Sequence, residues 1–83
     1  MVKLVFLGKF RGLAREDAEV ALPADVGTLA ELKGWIARRD PALGCAMDDT
    51  RTQCVVNQVV VRDLSARVCD QDEIAFLPPM SGG

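Results

Sequence analysis

One segment of this 83-residue chain carries a clear helical period, and strand-like apolar runs stand on both sides of it. Thr28-Leu29-Ala30-Glu31 has the form of a capping box, in which the Thr28 hydroxyl accepts the N3 amide proton and Glu31 reaches back to the N-cap amide. Leu29, Leu32 and Ile36 then recur at i, i+3 and i+7, with Trp35 flanking them, so a helix with one core stripe runs to about Arg39. Pro41 prevents an easy continuation. Gly34 inside the helix costs roughly 1 kcal/mol relative to Ala, and either close packing against the sheet or mere tolerance accounts for its presence. A single helix covers a single sheet face. A chain of this length hides only about 60–65% of its unfolded surface, enough for one modest core and no second domain.

The flanking segments read as strands. Val2 to Leu7 is rich in branched and aromatic residues and suits a buried strand, ended by Gly8. Lys9 to Arg15 is too long for a tight hairpin loop and has room for a short helical turn that carries Phe10 and Leu13 inward. Ala18 to Leu22 alternates as a half-exposed second strand before Pro23. Ala42 to Thr52, with Gly44 and Asp48-Asp49, reads as loop with at most one irregular turn. Gln53 to Val61 resumes strand character, and Asn57-Gln58 marks a bend or a tight turn between two short strands. Asp63 to Asp72 is a connection with a short strand around Ala66 to Val68. Ile74 to Leu77 is the last strand, after which Pro78-Pro79 withholds amide donors from the sheet.

Strand, strand, helix and two or three further strands define an α+β fold, and the small size favours a β-grasp roll over a doubly wound one. The expected architecture is a mixed sheet of four to five strands with one main helix packed on one face. Leu4 and Phe6 share one side of the first strand while Val5 and Leu7 share the other; Ile74 and Phe76 oppose Ala75 and Leu77 in the last. Apolar residues on the uncovered face imply exposure or a partner. Residues 1–77 form the domain, and 78–83 a flexible C-terminal diglycine tail.

Composition removes several function classes. The formal net charge is −2, without the basic surplus that displaces counterions from nucleic acid. Arg38-Arg39, the only adjacent basic pair, falls at the helix C-terminus, where complementing the macrodipole is favoured over phosphate binding. No apolar run approaches the ~20 residues that span a bilayer, and Lys9 interrupts the short apolar start, so no membrane role and a cytoplasmic location are expected. Cys45, Cys54 and Cys69 lack Cys-x-x-Cys spacing, and the chain has no histidine, so the four N or S ligands of a structural zinc site are not available and no metal is expected. A reducing compartment suits these thiols better than a disulfide framework.

The remaining candidate for chemistry is the end of the chain. Gly82-Gly83 has no side chains and threads into a narrow site, while Pro78-Pro79 favours a stiff, polyproline-like exit that lowers the entropy lost on insertion. Pro78 to Gly83 spans at most roughly 20 Å when extended. A terminal carboxyl with a pKa of about 3.3–3.7 is an anion at neutral pH and a poor acyl electrophile, so it requires activation. With no histidine and no evident nucleophile–base pair, the catalytic groups are expected in partners.

Asp72-Glu73-Ile74-Ala75-Phe76-Leu77-Pro78-Pro79-Met80-Ser81-Gly82-Gly83 closely resembles the terminus of the molybdopterin synthase small, sulfur-carrier subunit family. Val56-Asn57-Gln58 and the opening Met1 to Leu13 resemble further segments of that family, and the similarity covers nearly the whole chain. Asp70-Gln71-Asp72 departs from the family's Asp-Gly-Asp turn, placing Gln where Gly would tolerate positive φ. Cys69 beside it reads as a small packing residue in preference to a redox group.

The resemblance implies a ubiquitin-like β-grasp carrier, itself non-catalytic, within a heterotetrameric synthase. It implies that an E1-like adenylating enzyme activates Gly83 with ATP, and that a sulfur donor protein converts the adenylate to a thiocarboxylate. The tail residues Pro78, Pro79, Met80, Ser81 and Gly82 then enter the synthase large subunit, where Gly83 gives sulfur to cyclic pyranopterin monophosphate. No cofactor is bound directly; sulfur is carried covalently on Gly83. Leu7, Val60 and Leu77, together with Phe76, are the expected partner interface, with ordinary strand packing as the other reading of the second-face residues. Two alternatives share the tail: a ubiquitin-like modifier joined through Gly83 to lysines, and a carrier for thiamine synthesis or RNA thiolation.

Overall fold

Alternating apolar residues build the central strands, and the sheet forms around them. The computed structural model describes residues 1–14, 18–48 and 51–78, without the side chains of 13, 14 and 18. The elements run β1 (Val2–Phe6), α1 (Lys9–Ala14), β2 (Ala18–Val20), α2 (Leu29–Arg39), α3 (Pro41–Met47), β3 (Gln53–Val56), β4 (Val59–Val61) and β5 (Glu73–Leu77). The strands form one mixed sheet in the order β2-β1-β5-β3-β4. β1 and β5 pair in parallel at its centre, with Leu4 opposite Ile74 and Phe6 opposite Phe76; the other pairs are antiparallel. This is the β-grasp arrangement, with α2 across one face.

The core follows from strand parity. Val2, Leu4 and Phe6 of β1, Ile74 and Phe76 of β5, and Cys54 of β3 turn to the helix side and meet Leu29, Leu32 and Ile36 of α2. Phe10 is fully buried on the short α1, where the sequence allows a helical turn; the Leu13 side chain lies outside the described residues. α2 begins as expected, with the Glu31 amide donating to Thr28 Oγ1 at 3.2 Å. The Glu31 carboxylate reaches one residue further back than a standard box, accepting from the Gly27 amide at 2.9 Å. That backbone bond, with the Thr28 hydroxyl, holds the Glu31 carboxyl below its ordinary pKa. At the other end the Arg39 guanidinium lies 4.5 Å from the centre of the Trp35 ring. Gly34 has only ordinary contact space around it, so it is tolerated in α2 and not demanded by the sheet.

Three expectations change. Pro41–Met47 is a helix and not a loop: Asp40 Oδ1 caps it by accepting from the Leu43 amide at 3.1 Å, Pro41 takes the first turn, and Leu43 and Met47 are buried one turn apart. The segment around Ala66 to Val68 makes only an isolated bridge, Arg67 to Thr28, with Val68 turned into the core. Cys69 is exposed and does not serve as a packing residue; its amide donates to Asp72 Oδ2 at 2.8 Å. Gln71 does adopt the positive φ of 73° that the missing glycine foretold, with its amide held by the Met1 carbonyl.

The α2–α3 corner depends on a close approach at Gly44. A Cβ there would stand 2.4 Å from Ala37 Cβ and 2.5 Å from Ala37 Cα, and backbone cannot move aside cheaply. Gly44→Ala is expected to destabilise the domain by about 1–3 kcal/mol, the usual range for overpacking, despite the better helix propensity of Ala. Urea unfolding checks this; a stabilised variant would show that the helices separate freely.

Candidate functional site

The candidate site begins at the end of β5. Leu77 closes the strand opposite Gln53, and the chain leaves the sheet through Pro78. Gly8 prepares this exit: it has a φ of 58°, and a Cβ on it would fall 2.8 Å from Pro78 Cγ, so the proline ring rests directly on the glycine backbone. The Leu7 amide donates to the Phe76 carbonyl at 3.1 Å, extending the β1–β5 pairing to the point of departure. The base of the tail is therefore seated. Pro79, Met80, Ser81, Gly82 and Gly83 lie outside the described residues.

Beside the exit lies the sheet face that α2 leaves uncovered. Val5 pairs with Ala75, Ala75 with Val55 and Val55 with Val60, so four strands place one apolar row across it. Leu7 and Leu77 are half-buried, and Val60 is 50% exposed. These three belong to one accessible face. Phe76 does not: it is fully buried on the core side and stacks on Phe6 with ring centroids 5.6 Å apart. Its parity in β5 is opposite to that of Leu77, which removes it from any partner surface.

Asn57-Gln58 is the tight turn between β3 and β4, with φ values of 51° and 70° that fit a two-residue hairpin. Asn57 also clamps the start of β5, donating through Nδ2 to Asp72 Oδ1 and accepting the Glu73 amide on Oδ1, each at 2.9 Å. Its role is to fix the sheet at the end opposite the tail. The thiols are free, Cys45 and Cys69 exposed and Cys54 buried; burial pushes the Cys54 thiol pKa up and keeps it protonated. Among the described residues no group of three or more His, Cys, Asp or Glu is placed to hold a metal ion, and no helix is long and apolar enough to cross a membrane.

One further feature was not legible in the sequence. Lys33 of α2, Arg51 and Arg62 come from three separate segments and line one cleft of about 510 Å³ beside β4, with Asp48 as its acidic residue among the described ones.

A ubiquitin-like β-grasp domain with an apolar sheet face beside a proline-seated exit is the class that the fold and site define. The chain belongs to the ThiS family, which matches residues 4–83. It is 36% identical over 84 residues to the molybdopterin synthase sulfur carrier subunit of Escherichia coli (strain K12), covering 100% of both chains. The putative molybdopterin converting factor subunit 1 from Pyrococcus furiosus shares the fold with a TM-score of 0.77 at 23% identity, over 95% of this chain and 97% of that one. The protein–protein complex of subunits 1 and 2 of the molybdopterin-converting factor from Helicobacter pylori 26695 contains the same fold, with a TM-score of 0.66 at 22% identity over 99% of this chain and 97% of that one.

Proposed function

We propose that this protein is the sulfur carrier subunit of a molybdopterin synthase, with Gly83 as the carrier group. The observation that carries the reading is full-length similarity to a subunit of that name, joined to a sheet whose last strand feeds Pro78 and the residues up to Gly83. In the first step an oxygen of the Gly83 carboxylate attacks the α-phosphorus of ATP on an E1-like adenylating enzyme, and pyrophosphate leaves. The mixed anhydride is an acyl electrophile that the carboxylate was not. A sulfur donor protein then supplies sulfur at the sulfide level, HS⁻ attacks the acyl carbon, AMP departs with the bonding pair, and a thiocarboxylate remains after loss of the proton.

That thiocarboxylate is a soft sulfur nucleophile. In the synthase large subunit its sulfur bonds to a carbon of cyclic pyranopterin monophosphate as an oxygen substituent departs, water cleaves the resulting thioester and restores the Gly83 carboxylate, and two such transfers supply the dithiolene. The complex of subunits 1 and 2 in the Helicobacter pylori factor supports a large-subunit partner. Leu7, Val60 and Leu77 form the docking face, and Pro78 to Gly82 the inserted segment. The chain's own task is presentation: Gly8 and Pro78 aim the tail, the apolar row holds the partner, and the slim tip admits the carrier group. A cytoplasmic, reducing setting suits three unpaired thiols.

Intact mass spectrometry after incubation with an activating enzyme, ATP and a sulfur donor tests the reading. The expected result is one sulfur-for-oxygen increment confined to the C-terminal peptide. Conjugates joined to lysines of other proteins, without that increment, would make the chain a modifier instead.

A further inference from the structure

We infer that the open edge of β4 is a second docking site, for an extended acidic segment of a partner protein that joins the sheet as a sixth strand. β4 is the last strand in the sheet order and, among the described residues, pairs with β3 alone. Because Asn57-Gln58 is a two-residue turn, Val56 and Val59 close the hairpin as a hydrogen-bonded pair, and Val55 and Val60 form the next, non-bonded pair. The Val60 amide and carbonyl consequently point away from β3. Exposed edges are ordinarily blunted by charge, proline or a bulge on the strand. β4 has three consecutive valines, and Val59, at 63%, and Val60, at 50%, are exposed, as is Leu64.

Charge selects the occupant. Among the described residues, Lys33 and Arg62 line the cleft beside this edge together with Asp48, a local sign opposite to the net charge of −2 of the whole chain. An added strand alternates its side chains between the two faces of the sheet. On the helix side they meet the cationic cleft; on the other they extend the row Val5, Ala75, Val55 and Val60. Acidic and apolar residues in alternation satisfy both. A second copy of this chain fits poorly, because pairing β4 with β4 brings two cationic clefts together. The Gln53–Leu77 pairing puts Arg62 at the sheet end where Pro78 departs, and β4 lies two strand spacings, about 10 Å, from β5. A partner that grips this edge therefore receives the tail at a fixed offset.

The test titrates the ¹⁵N-labelled full chain with a synthetic peptide alternating Val and Glu, and is independent of any sulfur chemistry. Amide shifts should centre on Val59 to Arg62 and Lys33. Affinity should fall about tenfold or more in the Lys33→Glu/Arg62→Glu double variant. A peptide N-methylated at alternate amides should lose binding to the unaltered protein, which tests strand addition even if the double variant folds poorly. Equal binding of a Val/Lys peptide, displacement by sodium phosphate, shifts centred on Val5 and Ala75, no shifts at millimolar peptide, or dimerisation of the unliganded chain through β4 would each overturn the assignment.

Discussion

Deleting Gly83, or adding one residue after it, is expected to abolish sulfur transfer and to leave the unfolding transition of the domain where it was. The two halves of this result have separate physical causes. Among the described residues the buried core lies between Val2 and Phe76, so its packing is expected to survive a change at the chain's last position. Transfer depends on where the terminal acyl carbon arrives. One residue of extended chain is about 3.3–3.6 Å, and a misplacement of about 1 Å at a reacting centre already costs on the order of 10²-fold. Pro78, resting on Gly8, gives the tail a defined starting point, so a lost residue cannot be recovered by sliding the strand: that would break the β1–β5 register. The measurement is thiocarboxylate formation and product yield beside thermal unfolding of the same variants. Retained transfer would remove Gly83 from the mechanism.

The helix α2 was legible because two independent signals agreed, the Thr28–Glu31 cap and the stripe of Leu29, Leu32 and Ile36. The central strands were legible for a like reason: branched residues with clean parity. α3 was missed because its stripe is a single turn, Leu43 to Met47, and Gly44 with Asp48-Asp49 imitates a loop. A signal was nevertheless present, since Asp40-Pro41 is an N-cap followed by the residue preferred at the first helical position. The apolar second face could be foreseen from alternation alone. Its cationic flank could not, because Lys33, Arg51 and Arg62 meet only once α2 crosses the sheet beside β3 and β4. Phe76 shows how motif and parity can conflict: it stands in the family-like terminal motif, but its own alternation with Leu77 already placed it with Ile74 on the core side.

That conflict yields the sharpest contrast between neighbouring residues. Phe76→Ala is expected to cost about 3–5 kcal/mol, the range for emptying a buried aromatic site. Phe76 lies at the parallel β1–β5 centre, stacked on Phe6, so its loss leaves a void that neither strand can close without giving up register. A small domain stands near the lower end of the usual 5–15 kcal/mol, so most of its stability goes and a substantial unfolded fraction follows near physiological temperature. Leu77→Ala, one residue on, removes a half-buried side chain from the face that α2 does not cover. Its expected cost is about 1 kcal/mol, and affinity for the proposed large-subunit partner is expected to fall. Urea unfolding and calorimetric titration with that subunit, run on both variants, separate the roles. A stable Phe76→Ala that binds weakly, or a Leu77→Ala that unfolds yet binds normally when folded, would reverse the assignment of the two faces of β5.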